Sequence, residues 1–383
     1  MNNDFDYRDY NQSPKKKNLI EGLNFNKENN NVNKKNIFIS LILIIVIIAL
    51  ILGFFFIKKD KEEVNNNNNN NSNIKENDDL EKVPLKEVSI IDVNSKTRPY
   101  AVMINCHNGA LPQAGLDKAY IVYELMVEGG ITRMMALFKD ASVSKIGSIR
   151  SARTQYLDYV YENNAIYVHA GGAKDAIQRI KNEGISDIDV DGVYGFRDKN
   201  LKRSWEHTLF TSTELLKKGV LNKSISSTTD TENILNYQGD SIDTSKLNNL
   251  KDANNVSIKY SDYRTSNYTY DSVKKVYLRS MNNTKNIDLV TGEQYEVKNI
   301  IVYGVNYSSY TNGSSTKYQK IDNVGTGEGY YITEGKAIPI TWEKEDKNSQ
   351  TKYKVKETGK ELVVNDGNTY IQIYPTSGKL TIN

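Results

Sequence analysis

Hydrophobic and polar positions divide the chain into stretches of different texture. Residues 1–36 are polar, rich in Asn and Lys and without periodicity, which predicts a disordered tail. Residues 37–57, IFISLILIIVIIALILGFFFI, are apolar apart from Ser40. At about 1.5 Å rise per residue that run spans roughly 30 Å, the thickness of the hydrocarbon core, so it predicts a transmembrane helix. It is too long for a cleaved signal peptide, and no small-x-small site follows it. Residues 58–83 are charged and then Asn-rich, and read as a flexible tether.

From Pro84 the pattern becomes that of a folded chain. YAVMIN at 100–105 reads as a buried strand, followed by the polar turn CHNGALPQAGL. The runs at 119–127 and 131–139 read as strands of a hairpin across Gly129-Gly130. Residues 145–179 read as loop, helix, strand, Gly171-Gly172 turn and a second helix from Ala173, with Ser151 able to cap the first helix. A short strand at 187–190 and a helix after Ser212 or Thr213 complete this region. Residues 220–255 are rich in Ser, Thr, Asn and Asp, which predicts a linker or loose insertion over 223–255 and a domain boundary. Beyond it, tyrosine-rich alternating runs (YTYDSVKKVYLRS, KNIIVYGVNY, TYIQIYP) are punctuated by TGE, TGEG and NDGN, read as turns. The expected architecture is an α/β (α+β) domain with a mixed sheet at 84–222, then a smaller β-rich domain at 256–383 packed against it.

Composition narrows the function classes. The net charge of +3 gives no field that argues for nucleic acid. The single cysteine, Cys106, permits no internal disulfide, no zinc-type cysteine spacing and no lipoprotein cysteine after the apolar run. Six lysines precede residues 37–57, and three follow mixed with acids, which favours a cytoplasmic N-terminus and folded domains outside the membrane.

The candidate chemistry gathers between the three histidines, His107, His169 and His207. Arg150 and Arg153 flank Ser151 at a predicted helix start. A strand ending in His169 before Gly171, Gly172 and a helix N-terminus offers outward backbone N–H groups. Arginine suits bidentate binding of carboxylate or phosphate, so these residues, with Arg133, Glu128 and His107, form the candidate ligand set. The structural alternative pairs the arginines with Glu124 or Glu128. A three-histidine zinc site has no local spacing to support it, and Cys106 beside His107 is a poor nucleophile because adjacent strand-end side chains point apart. No cofactor and no metal are expected.

The runs RPYAVMIN, QAGLDKAYIVYELMVEGGITRMMALF, KIGSIRSAR, YVHAGG and EHTLFTS follow one another in an order that resembles the YerB-like envelope proteins. KKVYLRS, VKNIIVYG, GEGYYITEGKAIPITWEK and NDGNTYIQIYP are similar to that family's second domain. The resemblance covers about residues 84–383. It implies a Gram-positive membrane-anchored protein with paired domains of no settled activity; relatives are often lipoproteins, and tend to have Asp-Asn where this chain has Asn105-Cys106. Two functions remain. One is a tethered binding or assembly factor whose partners are the membrane and an anionic wall component or envelope protein. The other is a hydrolase or transferase acting on a phosphodiester or glycan, with His169 or His207 as general acid–base and the arginines stabilising charge.

Overall fold

The computed structural model describes residues 87–239, 241–313 and 315–383. The expected tail, membrane span and tether lie outside the described residues. Among those described, no helix is long and apolar enough to cross a membrane.

The fold is β-rich, with a mixed sheet and few helices. Five strands of the first half are β1 (Tyr100–Asn105), β2 (Ile121–Met126), β3 (Thr132–Phe138), β4 (Ile166–His169) and β5 (Asp187–Asp189). The second half supplies β6 (Asn255–Ser261), β7 (Arg264–Asp271), β8 (Val276–Met281), β9 (Asn299–Val305), β10 (Gly325–Thr333), β11 (Lys336–Lys344), β12 (Thr369–Pro375) and β13 (Lys379–Ile382). An eleven-stranded sheet runs β11-β10-β9-β12-β2-β3-β1-β4-β5, with Lys251–Asp252 and Lys352–Val355 beside β11. β6, β7, β8 and β13 form the body of a second sheet, in the order β8-β7-β6-β13.

The second half packs against the first, as expected, and is also joined to it edge to edge. β12 pairs in parallel with β2 on one side, from Ile121↔Thr369 to Leu125↔Ile373, and with β9 on the other. Alternation along the strands explains why the sheet is covered on both faces. Ala101 and Met103 pack with Tyr156, Leu157 and Val160 of α1 (Thr154–Glu162) and Ala176 and Ile180 of α2 (Lys174–Glu183). Val102 and Ile104 pack on the opposite face, with Val256, Ile258 and Tyr260 of the second sheet and Leu216 of α3 (Thr213–Asn222).

Two buried ion pairs cross the same seam. Glu124 on β2 meets Arg279 on β8 at 2.8 Å, both at most 1% exposed, and also accepts from Thr132 and Ser266. Glu162 on α1 meets Lys344 on β11 at 2.9 Å and accepts from Thr351 and Tyr123. Each acid belongs to the first half and each cation to the second. A buried ion without its partner is strongly destabilising, so each half completes the other's interior.

Three expectations change. TGEG is not a turn: it lies inside β10, where a side chain on Gly327 would sit 2.5 Å from the Trp342 indole nitrogen. The glycine is there so that β10 can pass under Trp342. The 223–255 segment is not loose: Leu235 and Tyr237 are buried, and Asn236–Gln238 pairs with Val363–Asn365. Ser151 does not cap α1, whose N-cap position is Arg153; the hydroxyl that does cap a helix is Ser212, accepting from Leu215 N–H at the start of α3.

Candidate functional site

β1 and β4 are parallel, so their carboxyl ends, Asn105 and His169, open on one edge of the sheet. Residues 149–152 are laid across those ends by backbone bonds. Arg150 N–H donates to Met103 O, Ala170 N–H to Arg150 O, and Ala152 N–H to Gly171 O. The carboxyl edge of parallel strands is where open α/β sheets place ligands.

A chain of polar contacts starts at Asn105. Its Oδ1 accepts from the His107 N–H at 2.9 Å, so its amide NH2 faces His207 and donates to Nδ1 at 3.0 Å. His207 Nδ1 is then an acceptor, and the neutral ring carries its proton on Nε2, 3.6 Å from Glu206 Oε1. His107 stacks on His207 at 4.9 Å, and its Nδ1 accepts from Gly109 N–H. A side chain at Gly109 would stand 3.0 Å from the His207 ring, so the glycine lets the loop lie flat against both imidazoles. Glu206 accepts from Arg150 NH2 at 2.8 Å. Arg150 and Glu206 are solvent-facing, whereas His207 is buried. Burial lowers the His207 pKa; Glu206 opposes this, and Arg150, His107 and Arg203 add to it. Burial alone would raise the Glu206 pKa, but Arg150 and the two histidines hold it below the usual carboxylate value.

Next to this chain, Glu128 at the β2–β3 tip clamps two buried arginines. Arg153 Nε donates to Oε2 at 2.8 Å, and Arg133 NH2 donates to Oε1 at 2.8 Å. Arg133 and Arg153 also donate to the Ser151 carbonyl, and Arg153 to that of Ala152. Burial works against the Glu128 charge, yet the two guanidiniums hold its pKa down to about 2. Arg133 is pushed down to about 10, by burial first, then by Arg153, with Arg150 adding to it. Three arginines thus face two carboxylates, Glu128 and Glu206, which leaves one positive charge in surplus.

His169 stands apart. Nδ1 faces the Gly171 carbonyl at 2.9 Å and Nε2 faces Asp187 Oδ2 at 3.2 Å, so both ring nitrogens are engaged within the fold. The Gly171 N–H, expected to attract an outside anion, donates to Asp189 Oδ2 at 3.1 Å, and Gly172 bridges to Ala152. At the start of α2, Asp175 accepts from Thr154, Tyr310 and Asn312. Cys106 is buried, and burial, then Glu124, push its thiol up to about 12, far from thiolate chemistry. Among the described residues no cluster of three or more His, Cys, Asp or Glu is arranged to hold a metal ion.

Two family models cover most of the folded region. The N-terminal domain of the family described as "Protein of unknown function (DUF3048)" matches residues 88–226, and its C-terminal domain matches residues 256–371. The chain belongs to the DUF3048 family. The Bacillus subtilis (strain 168) protein named "Putative lipoprotein YerB" is 28% identical over 300 residues, 77% of this chain and 86% of that protein. A crystal structure of YerB protein from Bacillus subtilis matches with a TM-score of 0.63 at 26% identity, covering 74% of this chain and 94% of that one. The resemblance read from the sequence motifs is therefore to the right family.

For this DUF3048 chain the candidate ligand and catalytic residues separate into three groups. His107, His207 and Arg150 converge. Arg133, Arg153 and Glu128 form the adjacent buried clamp, against which the Ser151 carbonyl is held. His169, Gly171 and Gly172 belong to a third group closed by Asp187 and Asp189. Arg150 and Arg153 do not share one anion: each has its own carboxylate. Two members of the cluster were missed as site residues, Asn105 and Glu206. Both were within reach of sequence reading, one closing a predicted strand two residues before His107 and the other adjoining His207.

Proposed function

We propose that this chain is a membrane-anchored binding factor of the bacterial cell envelope that takes an anionic ligand between Arg150 and His107. The observation that carries the reading is the pair of residues with unspent donors at the carboxyl edge of β1. Arg150 gives one NH2 donor to Glu206, and its Nε and NH1 have no partner among the described residues. His107 is exposed, and its Nε2 is likewise unpartnered there. Charge-assisted donors of this kind suit phosphate and carboxylate. The anchor is the apolar run 37–57, with the folded domains outside the membrane; the lipoprotein name of the Bacillus relative supports an envelope setting reached through a different anchor. The natural partner is an anionic wall component or the acidic surface of an envelope protein.

The test is calorimetric titration of the full chain in detergent micelles with inorganic phosphate. Saturable binding that disappears in Arg150→Ala supports the reading; equal binding by the variant, or none by the parent chain, refutes it. A second reading draws on the fixed His207 tautomer. His207, oriented by Asn105 and facing Glu206, would act as general acid–base on a phosphodiester or glycan, with Arg150 stabilising negative charge. His169, with both nitrogens engaged, drops out of that role. Hydrolysis of bis(p-nitrophenyl) phosphate that is lost in His207→Ala would favour it, and absence of turnover would remove it.

A further inference from the structure

Trp205 lies one residue before Glu206, and its side chain is left in water. It is 68% exposed, whereas Trp342, the second tryptophan of the chain, is 5% exposed. The exposed indole is nonetheless held in place. Its backbone carbonyl accepts from Arg197 NH1 at 2.7 Å, from Thr208 Oγ1 at 2.8 Å and from Thr208 N–H at 3.2 Å. The Arg197 guanidinium sits 4.0 Å from the ring centroid, and its NH2 donates to Asp191 Oδ1 at 3.0 Å. One face of the indole is therefore stacked on a pinned cation, and the remainder is presented to solvent.

A large apolar ring that is fixed and yet uncovered is a contact surface in waiting, because burying it releases water at little cost in conformational freedom. Its neighbours decide what it would bury. Glu206 ties the same short turn to Arg150 at 2.8 Å, and His207 of that turn stacks on His107. The site thus offers a flat aromatic face on a turn that Glu206 ties to Arg150 and His207 stacks against His107, the two residues with donors to spare for an anion. We infer that the ligand of this site is an anionic saccharide, a pyranose bearing a phosphate ester, whose C–H face lies on Trp205 while its phosphate meets Arg150 and His107. A pyranose fits because it has an apolar face for the indole and hydroxyls for water at its edge, and because only one face of the indole is open. The inference rests on the anion-binding reading above and adds the ring to it.

The two tryptophans make the test direct. Trp205 emits from water and Trp342 from the interior, so a ligand on the platform shifts or quenches the red component alone. The full chain and its variants are titrated by calorimetry, and the parent also by emission, with N-acetylglucosamine 6-phosphate, inorganic phosphate and N-acetylglucosamine. The sugar phosphate is expected to bind about tenfold more tightly than inorganic phosphate, the value of one aromatic stacking contact, and to quench the exposed component. Trp205→Ala is expected to bring the sugar phosphate down to the affinity of inorganic phosphate, and Trp205→Phe to retain part of the gain. If Trp205→Ala binds the sugar phosphate as the parent does, while Arg150→Ala loses both phosphates, the platform is wrong and the anion site stands. If the parent binds neither phosphate, the anion site itself fails and the platform with it. If vesicles of anionic phospholipid shift the exposed emission and the sugar phosphate does not, the indole serves a membrane surface and the inference is overturned.

Discussion

Replacing Glu128 by glutamine tests whether the arginine clamp holds the site together electrostatically. The side chain is 17% exposed and bonds two buried guanidiniums. Its pKa stands at about 2 against an ordinary 4.5, so the charged form contributes roughly 3 kcal/mol at neutral pH. The sign follows from the lowered folded value. Between about pH 4.5 and 2 the unfolded chain binds the proton that the folded chain refuses, so the contribution is complete above that window and is lost as the pH falls through it. Glu128→Gln should therefore be less stable than the parent by about 3 kcal/mol at pH 7, and the gap should shrink by about 1 kcal/mol at pH 4 and about 2 kcal/mol at pH 3. Urea unfolding of both proteins across this range, followed by the emission of the buried Trp342, measures the difference directly, and other carboxylates cancel. A gap below about 1 kcal/mol at pH 7, or one that does not change down to pH 3, would refute the argument that Arg133 and Arg153 depend on this carboxylate.

Other expectations follow from the same structure. Glu206→Gln leaves Arg150 without its carboxylate, so phosphate should bind several-fold more tightly in a calorimetric titration, with the gain fading in salt. His207 has a lowered pKa, so it stays neutral in the fold while the unfolded ring charges; stability should decline as the pH drops below about 6.5, and His207→Gln should flatten that part of the curve in pH-dependent unfolding. Gly327→Ala drives a methyl group into Trp342 and should lower stability by roughly 1–3 kcal/mol, read from the urea midpoint. Residues 84–222 and 256–383 expressed apart should each fail to give cooperative unfolding, because each keeps one member of the Glu124–Arg279 and Glu162–Lys344 pairs and an open edge at the β2–β12 seam.

The local elements were legible. YAVMIN forms a strand over the expected six residues, the hairpin turns at Gly129-Gly130, and Ser212 opens a helix as its hydroxyl suggested. These are patterns written in neighbouring residues. The seam between β2 and β12 was not legible, because a parallel pairing across more than two hundred positions leaves no mark in either strand. TGEG misled because glycines usually break strands, and the reason for them, Trp342, lies on the next strand over. In the site, the sequence indicated which residues carry charge but not how they sort. Arg150 finds Glu206 across 56 positions, while Arg153 finds Glu128 across 25, and the turn of backbone between the two arginines sends them to different carboxylates. His169 was a candidate acid–base only on the enzyme reading, because ligands of open sheets sit beyond strand carboxyl ends; Asp187, at the start of the neighbouring strand, and the Gly171 carbonyl occupy its two ring nitrogens.

The place of β12 in the sheet bears on the order in which the protein is made. Synthesis releases β1 to β5 first, then β9 to β11, and only after them Thr369–Pro375, which must slide between β2 and β9 and pair with both. The middle of the sheet is thus filled last. Until then each half of the sheet has a bare inner edge. A stop codon or protease cut a few residues before Thr369 would remove the keystone of the sheet. Newly made chains should therefore depend on protection from aggregation until Thr369–Pro375 has emerged.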